Sequence, residues 1–471
     1  MGRRVNDNVN ITVIGCDGAP LSPAAHEALH KATLVIGGAR HLATASLDLA
    51  DSDDPRDVRT ITLGPLVPAL EALAAHDGPA VVLASGDPGF FGVLRALNDA
   101  GLEPGQVIPA VSSVATAFAR AGIPWDDALI VSAHGAGDGR DLRRAANVCR
   151  AHPKVALLTG PNAGAAELAR ELLGTGGSGA GALPFIGRLL VVAQRISQAT
   201  VINRPTGVVG STAARVESSN GSGSGNYNGN GSNNGNGTGN GGTAERVEFL
   251  TLAQAAARTD FAEPNVVLCV DPYAESVPKR WLAGWTGPAA PWALPEAAFE
   301  HRAGQITKAE VRAQVLARLA PALGELVWDL GAGSGSVGVE CARFGAAVVA
   351  VEQDPESRDR IRANAEAHGV NVAVVPGRAP AVLADLPRPD AVFVGGGGLD
   401  VVRAALEAEP ARIVVTLASV ERVGKVIRLL EADGRTVGGV LSQSSRLAPL
   451  PDGTHRFSAL NPVYVLWGDA A

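Results

Sequence analysis

The chain has 471 residues, of which 46% are hydrophobic and 18% are charged, and its formal net charge is −7. That length exceeds one ordinary hydrophobic core and predicts two domains, or three small ones. The acidic balance argues against a nucleic-acid-binding protein, which needs a basic face, but a few arginines in a cleft could still bind a small anionic substrate.

The cysteines are scattered along the sequence with no C-x-x-C pair, at Cys16, Cys149, Cys269 and Cys341. This spacing indicates neither a zinc site nor a disulfide framework, and isolated thiols are typical of a reducing compartment. The N-terminal segment runs into a strand instead of an apolar signal core, and no stretch reaches a membrane-spanning length without glycine, proline or charge. We therefore expect a cytoplasmic protein with no bound metal and no membrane partner.

The first half of the chain alternates short apolar runs with Ala-rich amphipathic stretches. The pattern predicts helices at 22–32, with Ser22 as N-cap and Pro23 in the first turn, and at 112–122 and 162–174, each ending at a glycine. Strands are predicted at 11–15, 33–37, 80–85, 128–133 and 154–160. This alternation favours an α/β fold.

Residues 220–242 read NGSGSGNYNGNGSNNGNGTGNGG, a tract that can bury nothing. The next segment, 245–270, supplies only a short helix and the apolar strand NVVLCV, too little for a core of its own. That strand must pair with the first half, so we expect a disordered insertion at 218–244 inside a first domain. The predicted limits are a first domain at 1–273, a linker at 274–294 and a second domain at 295–471.

The sequence of the second domain repeats a unit in which a strand passes through a loop to a helix. A helix is predicted over 306–324, with Thr307 and Glu310 spaced as a capping box. The last two strands, within 435–444 and 458–468, have no helix between them and should form an antiparallel pair at the edge of a mostly parallel sheet.

The stretch VWDLGAGSGSVGVE (327–340) is an apolar strand, an acid and then glycines that open a helix. Glycines there let a ligand approach the backbone N–H groups, and Glu352, at the end of the next strand, can accept hydrogen bonds from ribose hydroxyls. The combination indicates adenosine binding. A dinucleotide remains an alternative, because Gly333, Gly335 and Gly338 also fit G-x-G-x-x-G. Asp329 and the closing antiparallel pair favour S-adenosylmethionine over an NAD(P)-dependent oxidoreductase.

In the first half, LASGDPGFFGVL (83–94) breaks a strand with Gly86, Asp87 and Pro88. Taken alone, these residues are typical of a tight turn. VSSVATAFARAGIPW (111–125) and IVSAHG (130–135) follow at loop positions on the same edge of the predicted sheet. Their grouping favours a ligand site there.

These segments carry a family resemblance. SGDPGFF (85–91), VSSVATAFARAGIPWDDALIVSAHG (111–135) and LLTGPN (157–162) resemble the tetrapyrrole (corrin and porphyrin) methylases. The second half resembles class I methyltransferases that methylate C15 and decarboxylate, through ALPEAAFEHRAGQITKAEVRA (293–313), DLGAGSGSVGVE (329–340), GRAP (377–380) and ALNPVYVL (459–466). The fused arrangement resembles the decarboxylating C5,15-methyltransferase family of cobalamin biosynthesis.

The resemblance implies a two-part tetrapyrrole methylase fold followed by a Rossmann-like class I methyltransferase. It implies S-adenosylmethionine at two sites, methylation of an anionic tetrapyrrole (precorrin-6B or its cobalt form) at C5 and C15, loss of the C12 acetate carboxyl group to give precorrin-8X, and a homo-oligomer. The acceptor carbon is itself the nucleophile, so no catalytic triad is expected.

The resemblance also assigns site residues. In the second half the family's methyl-donor contacts fall on Thr307, Gly331, Ala332, Gly333, Ser334, Gly335, Glu352 and Ala379. In the first half the cofactor edge falls on Gly86, Asp87, Pro88, Ser112 and Ser113, with His134 beside the substrate. Because the substrate bears many carboxylates, arginines should line the second cleft, and the candidate substrate contacts there are Arg302, Arg378 and Arg446 together with Gly395 and Gly396. Thr307 and His134 also have plain structural interpretations, as a helix cap and a loop residue.

Two segments depart from the family pattern. Residues 15–23 read GCDGAPLSP where the family carries a loop resembling G-x-G-P-G, and residues 189–213 match poorly. A fusion whose N-terminal half is catalytically degenerate is therefore the second alternative.

Overall fold

The computed structural model describes residues 10–50, 58–64, 66–133, 139–174, 187–196, 245–274, 282–302 and 304–470. The predicted insertion at 218–244, His134 and part of the predicted linker lie outside this set. By compactness the chain divides into two units, Met1–Ile123 with Ala193–Val247, and Pro124–Val192 with Glu248–Ala471. The division falls inside the predicted first domain, between its two expected parts, and the limits 1–273, 274–294 and 295–471 stay a prediction.

The first unit contains a five-stranded parallel sheet in the order β3-β2-β4-β1-β5. Its strands are β1 (Ile11–Cys16), β2 (Leu34–Gly37), β3 (Arg59–Thr62), β4 (Ala80–Ser85) and β5 (Gln106–Ile108). Its helices are α1 (Pro23–Lys31), α2 (Ala39–Ala50), α3 (Leu66–Ala74), α4 (Val93–Asp99) and α5 (Ser113–Ala121). Ser22 caps α1 as predicted, since its side chain accepts a hydrogen bond from the N–H of Ala25.

A second sheet has the order β6-β7-β10-β8-β9. Its strands are β6 (Leu129–Ser132), β7 (Lys154–Leu158), β8 (Leu189–Gln194), β9 (Arg246–Thr251) and β10 (Asn265–Val270). The accompanying helices are α6 (Arg140–Ala151), α7 (Ala165–Leu173) and α8 (Leu252–Ala256). The apolar strand predicted to return to the first half does so, because β10 pairs antiparallel with β7, Val266 opposite Leu158.

The C-terminal sheet has seven strands in the order β13-β12-β11-β14-β15-β19-β16. The strands of this half are β11 (Leu326–Leu330), β12 (Ala347–Glu352), β13 (Ala373–Pro376), β14 (Ala391–Val394), β15 (Arg412–Leu417), β16 (Thr436–Ser442), β17 (Ser445–Pro449), β18 (His455–Ala459) and β19 (Val463–Asp469). The helices are α9 (Ala309–Leu319), α10 (Ser336–Arg343), α11 (Pro355–Ala367), α12 (Leu399–Glu407) and α13 (Val420–Ala432).

The predicted α/β class with a mostly parallel C-terminal sheet is confirmed. β12 and β14 pair parallel with β11, and β13 and β15 continue the parallel pairing on the two sides. β19 is antiparallel to both β15 and β16, as expected for the closing strands. Buried aliphatic side chains cover both faces of this sheet, which accounts for strands such as AVVAVE that are buried at every position. Among the described residues, no helix is long and apolar enough to cross a membrane.

The predicted capping box at Thr307 is wrong. Helix α9 begins at Ala309, and its N-cap, Lys308, makes no side-chain capping bond. The N–H of Ala309 donates instead to the carboxylate of Glu296, at 2.9 Å. A side chain from outside the helix thus accepts the hydrogen bond of a backbone N–H group at the helix start.

Candidate functional site

The carboxyl ends of four neighbouring strands converge in the C-terminal sheet. The chain order reverses between β11 and β14, since β12 and β13 continue on one side of β11 and β14 and β15 on the other. Such a switch point leaves a crevice where ligands of open α/β sheets bind. The loops that follow β11, β12, β13 and β14 hold the predicted donor and substrate residues of this half except Thr307, Arg302 and Arg446.

The glycine loop (331–335), which is predicted to bind the methyl donor, lies against the predicted substrate loop (395–396). Gly331 has a φ of +72°, and a Cβ there would lie 3.2 Å from the backbone nitrogen of Gly396. The N–H of Gly395 donates to the carbonyl oxygen of Leu330 at 3.0 Å. A side chain at Gly331 would be strained and would crowd Gly396, so glycine at position 331 lets the two loops share one edge.

Glu352, at the end of β12, already organises this edge. One carboxylate oxygen accepts the N–H of Gly333 and the other accepts the N–H of Asp354, both at 2.9 Å. The carbonyl of Glu352 accepts the N–H of Gly377 at 3.2 Å, which brings in the GRAP loop that contains the buried Ala379. Each carboxylate oxygen keeps a further lone pair for a ribose hydroxyl.

Asp329 lies in β11, just before the glycine loop, and is fully buried. Its Oδ2 accepts the N–H of Gly338 at 2.9 Å, whereas its Oδ1 is buried with no partner in the described part of the chain. Burial raises the pKa of Asp329 to about 7, and the charge of Glu352 adds to the increase. The glycines of this loop and the carboxylate of Glu352 together fit an adenosine-containing ligand with donor groups.

The raised pKa of Asp329 predicts a pH dependence of stability. The carboxyl group keeps its proton up to about 7 in the folded chain, against an ordinary value of 3.8, so between these values the folded state binds the extra proton. Stability should therefore fall as the pH rises from about 4 to about 7 through this group. In Asp329→Asn the urea midpoint should vary less over that window. The same slope in both proteins would contradict the prediction.

A cleft of about 300 Å³ lies between the carboxyl ends of β14 and β15, with the 395–398 loop on one side. Its lining includes Gly395, Gly396, Thr416, Ser419 and Arg422. The first two were predicted from the sequence. Arg422 was not, because it lies in the first turn of α13 without any motif to mark it.

The predicted arginines differ in their surroundings. Arg302 and Arg378 are exposed on loops, and the charge of Arg302 contributes to the lowered pKa of Asp354, after the hydrogen bonds from Ser357. Arg446 instead donates four hydrogen bonds of 2.6–2.8 Å to Glu296 and Glu310. A substrate carboxylate would have to displace a protein carboxylate to reach Arg446.

In the first unit, the loops after β1, β4 and β5 meet at one edge of the sheet. A Cβ on Gly15 would lie 2.4 Å from the carbonyl oxygen of Gly86 and 2.6 Å from the nitrogen of Ala110. A Cβ on Gly86 would lie 3.3 Å from the nitrogen of Ser113. The structure thus brings Gly86, Ser112 and Ser113 together.

The polar side chains of this edge also shape its backbone. Asp17 accepts the N–H groups of Ala19 and Val111, at 3.0 and 3.2 Å, and so ties the atypical first loop to the segment before α5. Ser112 caps α5, and Asp87 accepts the N–H of Gly89. Pro88 is buried within the same turn.

Sequence reasoning missed three polar residues at the same edge, Arg40, His41 and Ser85. The guanidinium of Arg40 and the ring of His41 both contact the hydroxyl of Ser85, at 2.7 and 2.9 Å. In the sequence these residues are marked only by the pair Arg40-His41, which comes shortly after a short strand and Gly37-Gly38. Within the described residues, no group of three or more His, Cys, Asp or Glu side chains could hold a metal ion.

The close approach at Gly15 predicts a large effect of one methyl group. Gly15→Ala should destabilise the first unit by about 1–3 kcal/mol, because the added carbon meets backbone atoms that cannot rotate away. Gly64→Ala is the matched control, since a Cβ at Gly64 meets nothing within 4 Å. Urea unfolding of both variants measures the difference. Equal midpoints would contradict the prediction.

Comparisons with known proteins follow the two halves of the chain. Residues 14–185 match the family Tetrapyrrole (Corrin/Porphyrin) Methylases, and residues 297–466 match the family Precorrin methyltransferase domain. A protein of Sinorhizobium sp named "Precorrin-6Y C(5,15)-methyltransferase (decarboxylating)" is 35% identical over 417 residues, covering 84% of this chain and 81% of that protein.

Two shorter relatives each cover part of the chain. "Probable cobalt-precorrin-6B C(15)-methyltransferase (decarboxylating)" of Pyrobaculum calidifontis is 38% identical and covers 38% of this chain and 97% of its own length. "Cobalt-precorrin-7 C(5)-methyltransferase" of Salmonella typhimurium is 36% identical and covers 35% of this chain and 79% of its own length.

Proposed function

Since the chain belongs to the family of decarboxylating precorrin-6Y C(5,15)-methyltransferases, we propose that it methylates precorrin-6B, or its cobalt form, at C5 and C15. The same reaction removes the carboxyl group of the C12 acetate and gives precorrin-8X. The observation that carries the proposal for this chain is the meeting of the glycine loop, Glu352 and the 395–396 loop at one switch point.

Each half would hold one S-adenosylmethionine. In the C-terminal half the ligand residues are Thr307, Gly331, Ala332, Gly333, Ser334, Gly335, Glu352 and Ala379. In the N-terminal half they are Gly86, Asp87, Pro88, Ser112 and Ser113. The bound sulfonium supplies an electrophilic methyl group, and the protein's task is to align the acceptor carbon with it and to exclude water.

The cleft beside the 395–396 loop is the proposed place of the macrocycle at the C15 site. Its glycines, Gly395 to Gly398, leave room for a flat ring, and Arg422 at its edge can bind a substrate carboxylate. Arg302 and Arg378 are exposed and remain candidates for other carboxylates, as His134 does in the first half. Arg446, already paired with Glu296 and Glu310, holds the start of α9 in place.

The macrocycle itself explains why little covalent chemistry is needed. An electron-rich meso carbon attacks the methyl group, and the electrons released by decarboxylation return to the conjugated ring. The relatives of both halves are methyltransferases, which leaves the oxidoreductase alternative without support.

Mass spectrometry of the product tests the proposal. Full-length protein supplied with precorrin-6B and S-adenosylmethionine should yield a product with two added methyl groups that has lost carbon dioxide. A product with one methyl group would show that one half is degenerate, and no methyl transfer would contradict the proposal.

We also propose that the chain forms a homo-oligomer. Leu447 and Phe457 lie opposite each other on β17 and β18 and are 61% and 73% exposed, an apolar pair that an interface with a second copy of the chain would bury. Light scattering on the purified protein measures the oligomer number.

A further inference from the structure

Arg40, His41 and Ser85 form a hydrogen-bonded cluster at the carboxyl edge of the first sheet. Ser85 is the last residue of β4, and Arg40 and His41 lie in the first turn of α2, the helix that follows β2, the strand beside β4. Arg40 Nη2 donates to Ser85 Oγ at 2.7 Å, Arg40 Nε donates to His41 Nε2 at 3.2 Å, and Ser85 Oγ lies 2.9 Å from the same Nε2. The guanidinium of Arg40 and the hydroxyl of Ser85 thus both converge on one ring nitrogen.

This geometry fixes the protonation of His41. Because Nε2 accepts from Arg40, it carries a lone pair, and Ser85, which accepts from Arg40, is free to direct its own hydrogen to Nε2. Burial and then the positive charge of Arg40 lower the pKa of His41 to about 4, so the ring is neutral near pH 7. The result is a hydroxyl group hydrogen-bonded to a neutral imidazole.

The cluster adjoins the residues that are proposed to hold the first methyl donor. Ser85 precedes Gly86, whose N–H donates to the carbonyl oxygen of Cys16 at 2.7 Å. Among the described residues, the other titratable groups of this edge are Cys16 at the end of β1, Asp17 after it and Asp87 after β4. Asp17 and Asp87 accept backbone N–H groups of nearby loops, whereas Ser85 contacts the ring of His41. Ser85 is exposed at the edge.

The proposed C5 methylation requires a proton acceptor. The meso carbon carries one hydrogen, and after it gains a methyl group that hydrogen must leave for the ring to regain its conjugation. We propose that His41, acting through the hydroxyl of Ser85, accepts this proton, and that Arg40 binds a carboxylate of the tetrapyrrole. This assignment rests on the proposed function of the first half.

The step balances in atoms and electrons. C5 forms a bond to the methyl carbon while the methyl–sulfur bond breaks and its electron pair stays on sulfur. The C5–H bond then breaks, its electrons return to the macrocycle, and the proton passes to Ser85 Oγ as the Ser85 proton passes to His41 Nε2. The positive charge of the sulfonium ends on the imidazolium.

Arg40 couples this proton transfer to substrate binding. A substrate carboxylate that pairs with the guanidinium offsets the positive charge that disfavours an imidazolium next to it. It also competes for the Nε–H that occupies His41 Nε2. The imidazole therefore becomes a stronger base when the anionic substrate is present.

His41→Ala in the full-length protein tests the proposal, with an isotope-labelled methyl donor to report each methylated carbon. C5 methylation should slow by roughly 10²-fold or more, the usual contribution of a general base. Imidazole added to the solution should restore part of the C5 rate, which a purely structural role would not allow. Unchanged binding of S-adenosylhomocysteine, measured by calorimetry, shows that the variant is folded.

His76→Ala is the matched control. The ring of His76 also contacts a hydroxyl at 2.9 Å, that of Thr33, but Thr33 precedes β2 and lies at the opposite edge of the sheet. This variant should methylate both carbons at the wild-type rate. Wild-type C5 methylation in His41→Ala, or a loss that imidazole does not restore, would overturn the proposal. Failure of the wild-type protein to methylate C5 would instead refute the proposed function.

Discussion

Replacing Glu340 with alanine should destabilise the C-terminal half by about 3–5 kcal/mol, the usual cost of leaving a buried charge without its partner. Glu340 and Arg312 are both fully buried, and Arg312 Nε donates to a carboxylate oxygen of Glu340 at 2.6 Å. The carboxylate also accepts the N–H groups of Ala293 and Leu294, at 2.6 and 3.0 Å. In the alanine variant Arg312 loses its buried counter-charge, and the two backbone N–H groups lose their acceptor.

The same network reaches the proposed donor site. Arg312 donates to the carbonyl oxygen of Thr307 at 2.6 Å, and Glu340 lies on α10, the helix that the glycine loop opens. Loss of Glu340 should therefore weaken donor binding in the second half as well as stability.

Glu356→Ala is the matched control for Glu340→Ala. Glu356 also pairs with an arginine, Arg360, at 2.9 Å, but it is 71% exposed. Deleting it should change the free energy of unfolding by less than about 1 kcal/mol. Urea unfolding followed by tryptophan fluorescence compares the two variants, and similar midpoints would contradict the role of the buried pair.

Replacing Glu352 with glutamine should weaken donor binding at one of the two proposed sites by roughly 10- to 100-fold. The carboxylate is the proposed acceptor for both ribose hydroxyls, and it also holds the N–H groups of Gly333 and Asp354. An amide keeps one acceptor oxygen and turns the other into a donor. C15 methylation should fall at limiting donor concentration, whereas C5 methylation should stay at the wild-type rate.

Glu366→Gln provides the comparison for Glu352→Gln, because Glu366 is exposed on the neighbouring helix α11. Calorimetry with S-adenosylhomocysteine should find no change in this variant. A Glu352→Gln protein that binds the ligand as tightly as the wild type at every site would remove Glu352 from the proposed donor site.

Local signals predicted much of the fold. Ser22 and the glycine after α5 cap their helices as expected, because a cap depends on residues within one turn. The return of NVVLCV to the first half followed from a core-size argument, which needs no knowledge of register. The family resemblance is confirmed by the relative that spans most of the chain.

Most of the failures depend on contacts between side chains that are far apart in the sequence. Glu296 replaces Thr307 at the start of α9 and, with Glu310, engages Arg446, and neither contact can be read from local spacing. The edge strand β3 was not predicted because its residues are mostly exposed and lack an apolar run. His41 was missed because Ser85, the partner that gives it a chemical role, lies 44 residues away.

Calorimetric titration of the intact, ligand-free protein with S-adenosylhomocysteine tests the central claim most directly. We expect two molecules bound per chain, one in each half, with one of the two events lost or weakened in Glu352→Gln. Uptake of a single molecule per chain, or of none, would contradict the proposal of two methyl-donor sites.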